Sequence, residues 1–189
     1  MTIPTRFDIN PAPLAGLKTI IRKPFEDSRG SFARMFCARE LAELGLSKPI
    51  VQINHSITRK RGAVRGLHFQ YAPHAEAKIV SCLRGSVFDV AVDLRPDSPT
   101  FLKCHGTVLS AANRTAYCIP EGFAHGFQTL EEDAELLYLH TEYYEQPMEG
   151  ALNVSDPRLG IAWPLPFSEI SDRDRNHPFL TTGFAGVRL

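Results

Sequence analysis

From Lys78 to Thr141 the chain is a succession of strand-length apolar or alternating runs separated by turn formers. The runs are Lys78–Leu83, Ser86–Val92, Thr107–Ser110, Ala116–Ile119 and Glu135–Thr141. Between them stand Arg84-Gly85, Pro96-Asp97-Ser98-Pro99, Ala112-Asn113 and Pro120-Glu121-Gly122. Glycine and asparagine turn the backbone where other residues resist, and proline denies a sheet its donor. Many short strands punctuated this way predict a sandwich or barrel. The expected fold is mainly β: a jelly-roll barrel of two antiparallel sheets with a few short helices. One helix is predicted over Ala38–Leu44, stopping at Gly45. A short helical turn is predicted over Ser171–Arg175, with Ser171 as cap and Asp172 and Asp174 in the first turn.

The 189 residues show no repeat, low-complexity tract or linker, so one domain spanning residues 1–189 is expected. It divides into N-terminal strands and a helix (about 1–60), a barrel core (about 61–150) and a C-terminal segment closing the site (about 151–189). Basic and acidic residues balance at 21 each, which argues against a general grip on nucleic acid or an anionic membrane. No apolar run approaches the ~18 residues of a membrane span. The N-terminus lacks a basic start followed by an apolar run, so no signal peptide is expected. Cys37, Cys82, Cys104 and Cys118 are widely spaced with no CxxC pair, so free thiols in a cytoplasmic protein are expected.

Two stretches place a histidine among small and apolar residues: Gly66-Leu67-His68-Phe69-Gln70 and Pro120-Glu121-Gly122-Phe123-Ala124-His125-Gly126-Phe127. They resemble the two halves of a cupin-type barrel motif, His-x-His and Pro-x-Gly-x-x-His. The second half is whole in Pro120, Gly122 and His125. The first has Gln70 where a second histidine would stand, so the metal cage is broken. A barrel pocket with histidine and no such cage points to acid–base chemistry on an organic substrate.

Strand alternation puts Gly66, His68 and Gln70 on one face of their strand and Leu67 and Phe69 on the other. The apolar pair is expected to pack between the sheets and the polar set to line the barrel interior; a core histidine satisfied by a backbone carbonyl is the competing role for His68. A histidine base needs a partner that fixes its tautomer, and Asp174 or Asp172, in Ile170-Ser171-Asp172-Arg173-Asp174, could return to supply it. Helix capping is the competing role, more so for Asp172. Alternation also groups Leu136, Tyr138 and His140 against the apolar Leu137 and Leu139, so Tyr138 faces the pocket as a proton donor. Plain packing is the competing role there. Lys78, if buried, would stabilise an enolate oxygen; an exposed strand end is the alternative. Arg59-Lys60-Arg61-Gly62 reads as an exposed hairpin turn. Arg65 is the better anion ligand, but its parity opposes His68, so a bulge, a twist or a neighbouring subunit must bring the two together.

In order, FEDSRGSF, VQINHS, AVRGLHFQ, KIVSCLRGSVFDVAVDLRPDSPTF, LSAANR, IPEGFAHGFQTL, LLYLHTEYY, DPRLGIAWP and ISDRD run from about Phe25 to Asp174. Together they resemble the nucleoside-diphosphate-4-keto-6-deoxysugar 3,5-epimerases, enzymes on a cupin-like barrel. The resemblance implies His68 as base, Asp174 as its partner, Tyr138 as acid on the opposite face, and Lys78 beside the keto oxygen. It implies nucleotide, phosphate or sugar contacts for Arg29, Phe32, Arg34, Gln52, Asn54, Arg65, Gln70, His125 and Tyr143. It also implies no metal or organic cofactor, a nucleotide-sugar substrate, and a homodimer that exchanges N-terminal strands. Two positions depart from the family pattern. Leu139 stands where lysine is frequent, with its side chain directed away from Tyr138. Arg34 stands where glutamate is frequent; a guanidinium only donates, which hints at CDP- or GDP-linked sugars, whereas an Arg34 directed at solvent or a phosphate says nothing of the base, and dTDP stays the default. The activities left open are C-3/C-5 epimerisation, epimerisation at one of those carbons, ketoisomerisation, and sugar-nucleotide binding without catalysis.

Overall fold

Each strand-length run of the middle segment forms a strand, and the chain alternates between two sheets. The computed structural model describes residues 5–189. In chain order the strands are β1 (Phe7–Pro11), β2 (Lys18–Arg22), β3 (Phe25–Asp27), β4 (Gly30–Phe32), β5 (Gln52–Thr58), β6 (Ala63–Gln70) and β7 (Lys78–Arg84). There follow β8 (Ser86–Asp93), β9 (Cys104–Ser110), β10 (Thr115–Ile119), β11 (Phe123–Thr129), β12 (Ala134–His140), β13 (Glu149–Ala151) and β14 (Glu169–Ile170), then the single helical turn α1 (Asp172–Arg175). The first sheet has the order β1-β2-β10-β7-β12-β5 and the second β13-β6-β11-β8-β9. Pairing in both is antiparallel, except that β14 adds to β6 in parallel. The expected mainly β, two-sheet jelly roll is the fold observed. Because β1, β2 and β5 are laddered into the first sheet, the barrel begins well before residue 61.

The turns explain the crossings. Gly85 takes φ +69°, a left-handed conformation, and turns β7 of the first sheet directly into β8 of the second. Arg59–Gly62 is a turn as expected, yet it is not a hairpin, since β5 and β6 lie in different sheets. The helix expected over Ala38–Leu44 is reduced to one 3-10 turn, Ala42–Leu44. Seven residues with no side-chain cap cannot nucleate a helix alone. Burial of Leu41 and Leu44 against Ile79, Ala116 and Leu139 shapes the segment instead.

Three apolar layers result. Val80, Cys82, Val87, Tyr117, Phe127 and Leu136 fill one end of the space between the sheets. Leu67, Phe69, Val90, Val92 and Ala124 face the other way, under Leu152, Val154, Leu159 and Val187 of the C-terminal segment. Leu67 and Phe69 therefore do not pack between the sheets; the C-terminal segment covers them, and only His68 of that trio points inward. Each fully buried aliphatic side chain contributes roughly 1.5–3 kcal/mol. The C-terminal segment is thus held firmly enough to position α1. Leu139 lies in the third layer, outside the first sheet, so its departure from lysine concerns packing.

Candidate active site

The other end of the space between the sheets is open. A cleft of about 640 Å³ is lined from the second sheet by Arg65, His68 and His125 and from the first by Asn54, Ser56, Lys78, Tyr138 and His140. Ser171, Arg173 and Asp174 border the same cleft.

His68 and Arg65 share it because β6 carries a bulge. His125 pairs with His68 and Phe127 with Arg65, so three steps on β6 oppose two on β11. That extra residue resolves the parity conflict. Gly66 makes it possible: its φ is +122°, and a Cβ there would sit 2.5 Å from the Gly126 Cα and 2.8 Å from the His125 carbonyl oxygen. Only glycine fits.

His68 Nε2 lies 2.8 Å from Asp174 Oδ1. A carboxylate only accepts, so Nε2 is assigned the proton, which leaves the Nδ1 lone pair as the basic atom. Arg173 Nη2 is 3.2 Å from the same Nε2, but two donors cannot bond each other, so it is a charged neighbour only. Arg173 is held by both oxygens of Glu149, each at 3.0 Å. Burial raises the Asp174 pKa, but the hydrogen bond and charge of His68, with help from the Gly66 N–H and Ser171, outweigh burial and hold it below the usual value. Asp174 therefore stays ionised and orients the imidazole. The predicted cap is present as well: Ser171 Oγ accepts from the Asp174 N–H at 3.0 Å. Asp172 is exposed in the first turn of α1 and takes no part in the cleft.

Tyr138 stands on the opposite sheet. Its hydroxyl is 3.0 Å from Ser56 Oγ, and its ring meets His125 edge-on at 6.3 Å. Burial drives the phenol pKa strongly upward, so it holds its proton. Lys78 is 6% exposed, which settles its placement against an exposed strand end. His125 bonds both oxygens of the wholly buried Asp89, at 2.9 and 3.0 Å. Arg65 Nε donates to Thr58 Oγ1 at 3.1 Å.

The structure thus brings His68, Tyr138, Asp174, Lys78, Asn54, Arg65 and His125 to one cleft. Six other expected contacts lie elsewhere. Arg29 is bound to Asp27 in the exposed β3–β4 hairpin, and Phe32 on the same hairpin is 71% exposed. Arg34 is paired with Glu40. Gln70 is spent on the backbone: its amide donates to the His74 and Tyr143 carbonyls and accepts from the Glu145 N–H. Gln52 bonds Asn54 and the Tyr144 N–H, and Tyr143 is 59% exposed. Glu76, His140, Ser56, Glu149 and Arg173 also line the cleft, with no motif to mark them. His140 shares the Tyr138 face by alternation and Arg173 precedes Asp174, so both had a local signal; Glu76 arrives through a loop and Glu149 on the short strand β13, and neither had one. Among the described residues no three histidine, cysteine, aspartate or glutamate side chains converge to hold a metal ion. No helix among them is long and apolar enough to cross a membrane.

Fold and site define a cupin-like jelly roll with an imidazole on one wall of its cleft and a phenol on the other. A family profile described as dTDP-4-dehydrorhamnose 3,5-epimerase matches residues 11–182, and the chain belongs to that family of isomerases. It is 46% identical over 160 residues to the dTDP-4-dehydrorhamnose 3,5-epimerase of Salmonella typhimurium, covering 84% of this chain and 87% of the relative. It is 37% identical over 169 residues to the dTDP-4-dehydrorhamnose 3-epimerase of Streptomyces niveus, covering 89% and 81%. The crystal structure of dTDP-6-deoxy-D-glucose-3,5-epimerase from Legionella pneumophila Philadelphia 1, in complex with dTDP-4-keto-L-rhamnose, superposes with a TM-score of 0.87 at 39% identity and covers 92% of each chain.

Proposed function

We propose that this chain epimerises C-3 and C-5 of a dTDP-linked 4-keto-6-deoxysugar, with neither metal nor organic cofactor. The observation that carries the proposal is the placement of His68 and Tyr138 on opposite sheets, facing one cleft. A ketone at C-4 acidifies the protons on C-3 and C-5. His68 Nδ1 takes one of them, and the imidazolium is stabilised by Asp174. The negative charge moves to the C-4 oxygen, where the Lys78 ammonium stabilises it. Tyr138 delivers its proton to the other face and the carbon inverts; the Ser56 hydroxyl, 3.0 Å away, then donates a hydrogen bond to the phenolate until solvent reprotonates it and takes the proton from His68. Arg65 and Arg173 suit the diphosphate, as forked donors at the rim.

We further propose a homodimer in which residues of about 1–60 complete the partner's site. The β3–β4 hairpin belongs to neither large sheet and presents Phe25, Arg29 and Phe32 to solvent, away from its own cleft. Those residues then contact nucleotide in the other subunit. The dTDP default is favoured over CDP or GDP because Arg34 is neutralised by Glu40 and so is not a free donor for base readout. Four free thiols accord with a reducing cytoplasm.

The test is proton NMR in deuterated water over dTDP-, CDP-, GDP- and UDP-linked 4-keto-6-deoxysugars. Exchange and inversion at both carbons of the dTDP sugar are expected. Exchange at C-3 alone would assign the outcome named for the Streptomyces niveus relative. A relocated ketone or no exchange would refute epimerisation.

A further inference from the structure

Two titratable side chains in the cleft have no part in the chemistry above. Glu76 lies in the loop just ahead of β7, and His140 ends β12. Their side chains are only 10% and 11% exposed. Lys78 Nζ donates to Glu76 Oε1 at 2.8 Å, and His140 Nδ1 is 2.7 Å from Glu76 Oε2. His140 Nε2 lies 3.4 Å from Asn54 Nδ2, and Asn54 Oδ1 accepts from Gln52 Nε2 at 3.3 Å. One proton arrangement satisfies every link. The carboxylate only accepts, so Nδ1 carries the imidazole proton. Nε2 then offers a lone pair to the Asn54 amide, which frees the Asn54 oxygen for Gln52. A hydrogen-bonded chain therefore runs from edge strand β5 to the ammonium in the cleft, with its shortest links at Glu76.

We propose that Glu76 and His140 are positioning residues for the reaction. Glu76 keeps the Lys78 ammonium charged and aimed into the cleft, and His140 ties that carboxylate to Asn54 and Gln52. A buried ammonium has lost its water and needs an anion in its place. Glu76 is that anion. Burial works against its ionisation, but the charge of Lys78 and the hydrogen bond from His140 outweigh burial and hold its pKa at about 2. The other titratable groups facing Lys78 are Tyr138 on β12 and the Asp89–His125 pair on β8 and β11. Asp89 has both oxygens on His125, so it is not free to replace Glu76. Only the consequence for the reaction rests on the epimerase reading; the clamp on Lys78 does not.

The test combines a substrate-free measurement with a kinetic one. The Lys78 13Cε resonance is titrated in wild type, Glu76→Gln and Glu76→Asp, and kcat and KM are followed against pH. In Glu76→Gln the Lys78 midpoint is expected to fall by about one pH unit or more, with the alkaline limb of kcat falling alongside it. Glu76→Asp gives an intermediate midpoint and serves if the glutamine variant does not fold. His140→Asn replaces the Nδ1–H donor but offers nothing at Nε2; it should keep the midpoint and raise KM about threefold to tenfold. An unmoved midpoint in folded Glu76→Gln overturns the clamp, and a moved midpoint that kcat ignores overturns its role in the reaction. If wild type exchanges no substrate proton, the epimerase reading fails while the resonance still decides the clamp.

Discussion

His68 Nε2 and Asp174 Oδ1 meet at 2.8 Å although 106 positions separate them in the chain. The carboxylate is held from three sides: by His68, by the Gly66 N–H at 3.2 Å on Oδ2, and by the cap that fixes its backbone to Ser171. Asp174→Asn can present an amide N–H to Nε2, which moves the ring proton to Nδ1, the atom that must accept the substrate proton. The expected loss is ~10²–10⁴-fold in kcat with little change in KM. Deuterium incorporation under single-turnover conditions measures it, and near-normal turnover would remove the dyad from the mechanism.

Tyr138→Phe separates the two halves of the reaction. The ring and its contact with His125 remain, while the proton donor is lost. Proton abstraction by His68 should continue, so solvent deuterium still enters the substrate, but inversion should slow by roughly 10²-fold. Inversion at the wild-type rate would make water or another side chain the acid.

Gly66→Ala probes the bulge. The new Cβ would press on the Gly126 Cα and the His125 carbonyl oxygen, both backbone atoms that cannot swing aside. Either β6 slips, separating Arg65 from His68, or the sheet opens. Activity should be lost together with a destabilisation of roughly 1–3 kcal/mol or more, read by urea unfolding. A variant with wild-type stability and activity would show that the bulge does not depend on glycine.

Much of this was legible along the chain. Turn formers such as Gly85 and alternation in Ala134–His140 predict where strands end and which side chains face inward, because both are local rules. Ser171 and Gly45 likewise perform the end-of-helix roles their types imply. What local rules cannot supply is which sheet a strand joins. That choice put Leu67 and Phe69 under the C-terminal segment instead of between the sheets. Ala38–Leu44 lost its helix for the same reason, since long-range burial of Leu41 and Leu44 overrode local preference. In the site, His68, Tyr138 and Asp174 announce themselves by motif. Glu76 and Glu149 do not, because a loop and the short strand β13 bring them into place.

Stability should fall in acid, with a sign set by depressed carboxylates. Glu76 is shifted from 4.5 to about 2, and Asp174 and Asp93 are also held below their usual value. Such groups stabilise the folded state fully above their unfolded values and lose that contribution as pH falls through the folded ones. Asp89, whose pKa burial raises, works the other way, so the wild-type slope is a difference. Comparison with Glu76→Gln isolates one share, worth roughly 3 kcal/mol between about pH 5 and about pH 2. Urea midpoints should therefore fall less steeply with acid in the variant. Parallel slopes would mean that Glu76 is not held ionised by its partners.

The central claim is that one imidazole starts the chemistry at both carbons. Wild type and His68→Ala are compared by proton NMR in deuterated water with the dTDP-linked 4-keto-6-deoxysugar. Wild type is expected to wash deuterium into C-3 and C-5 and to invert both. The alanine variant should still bind dTDP by calorimetry while exchange at both carbons falls by at least ~10²-fold. Exchange at either carbon persisting at the wild-type rate in His68→Ala would contradict it.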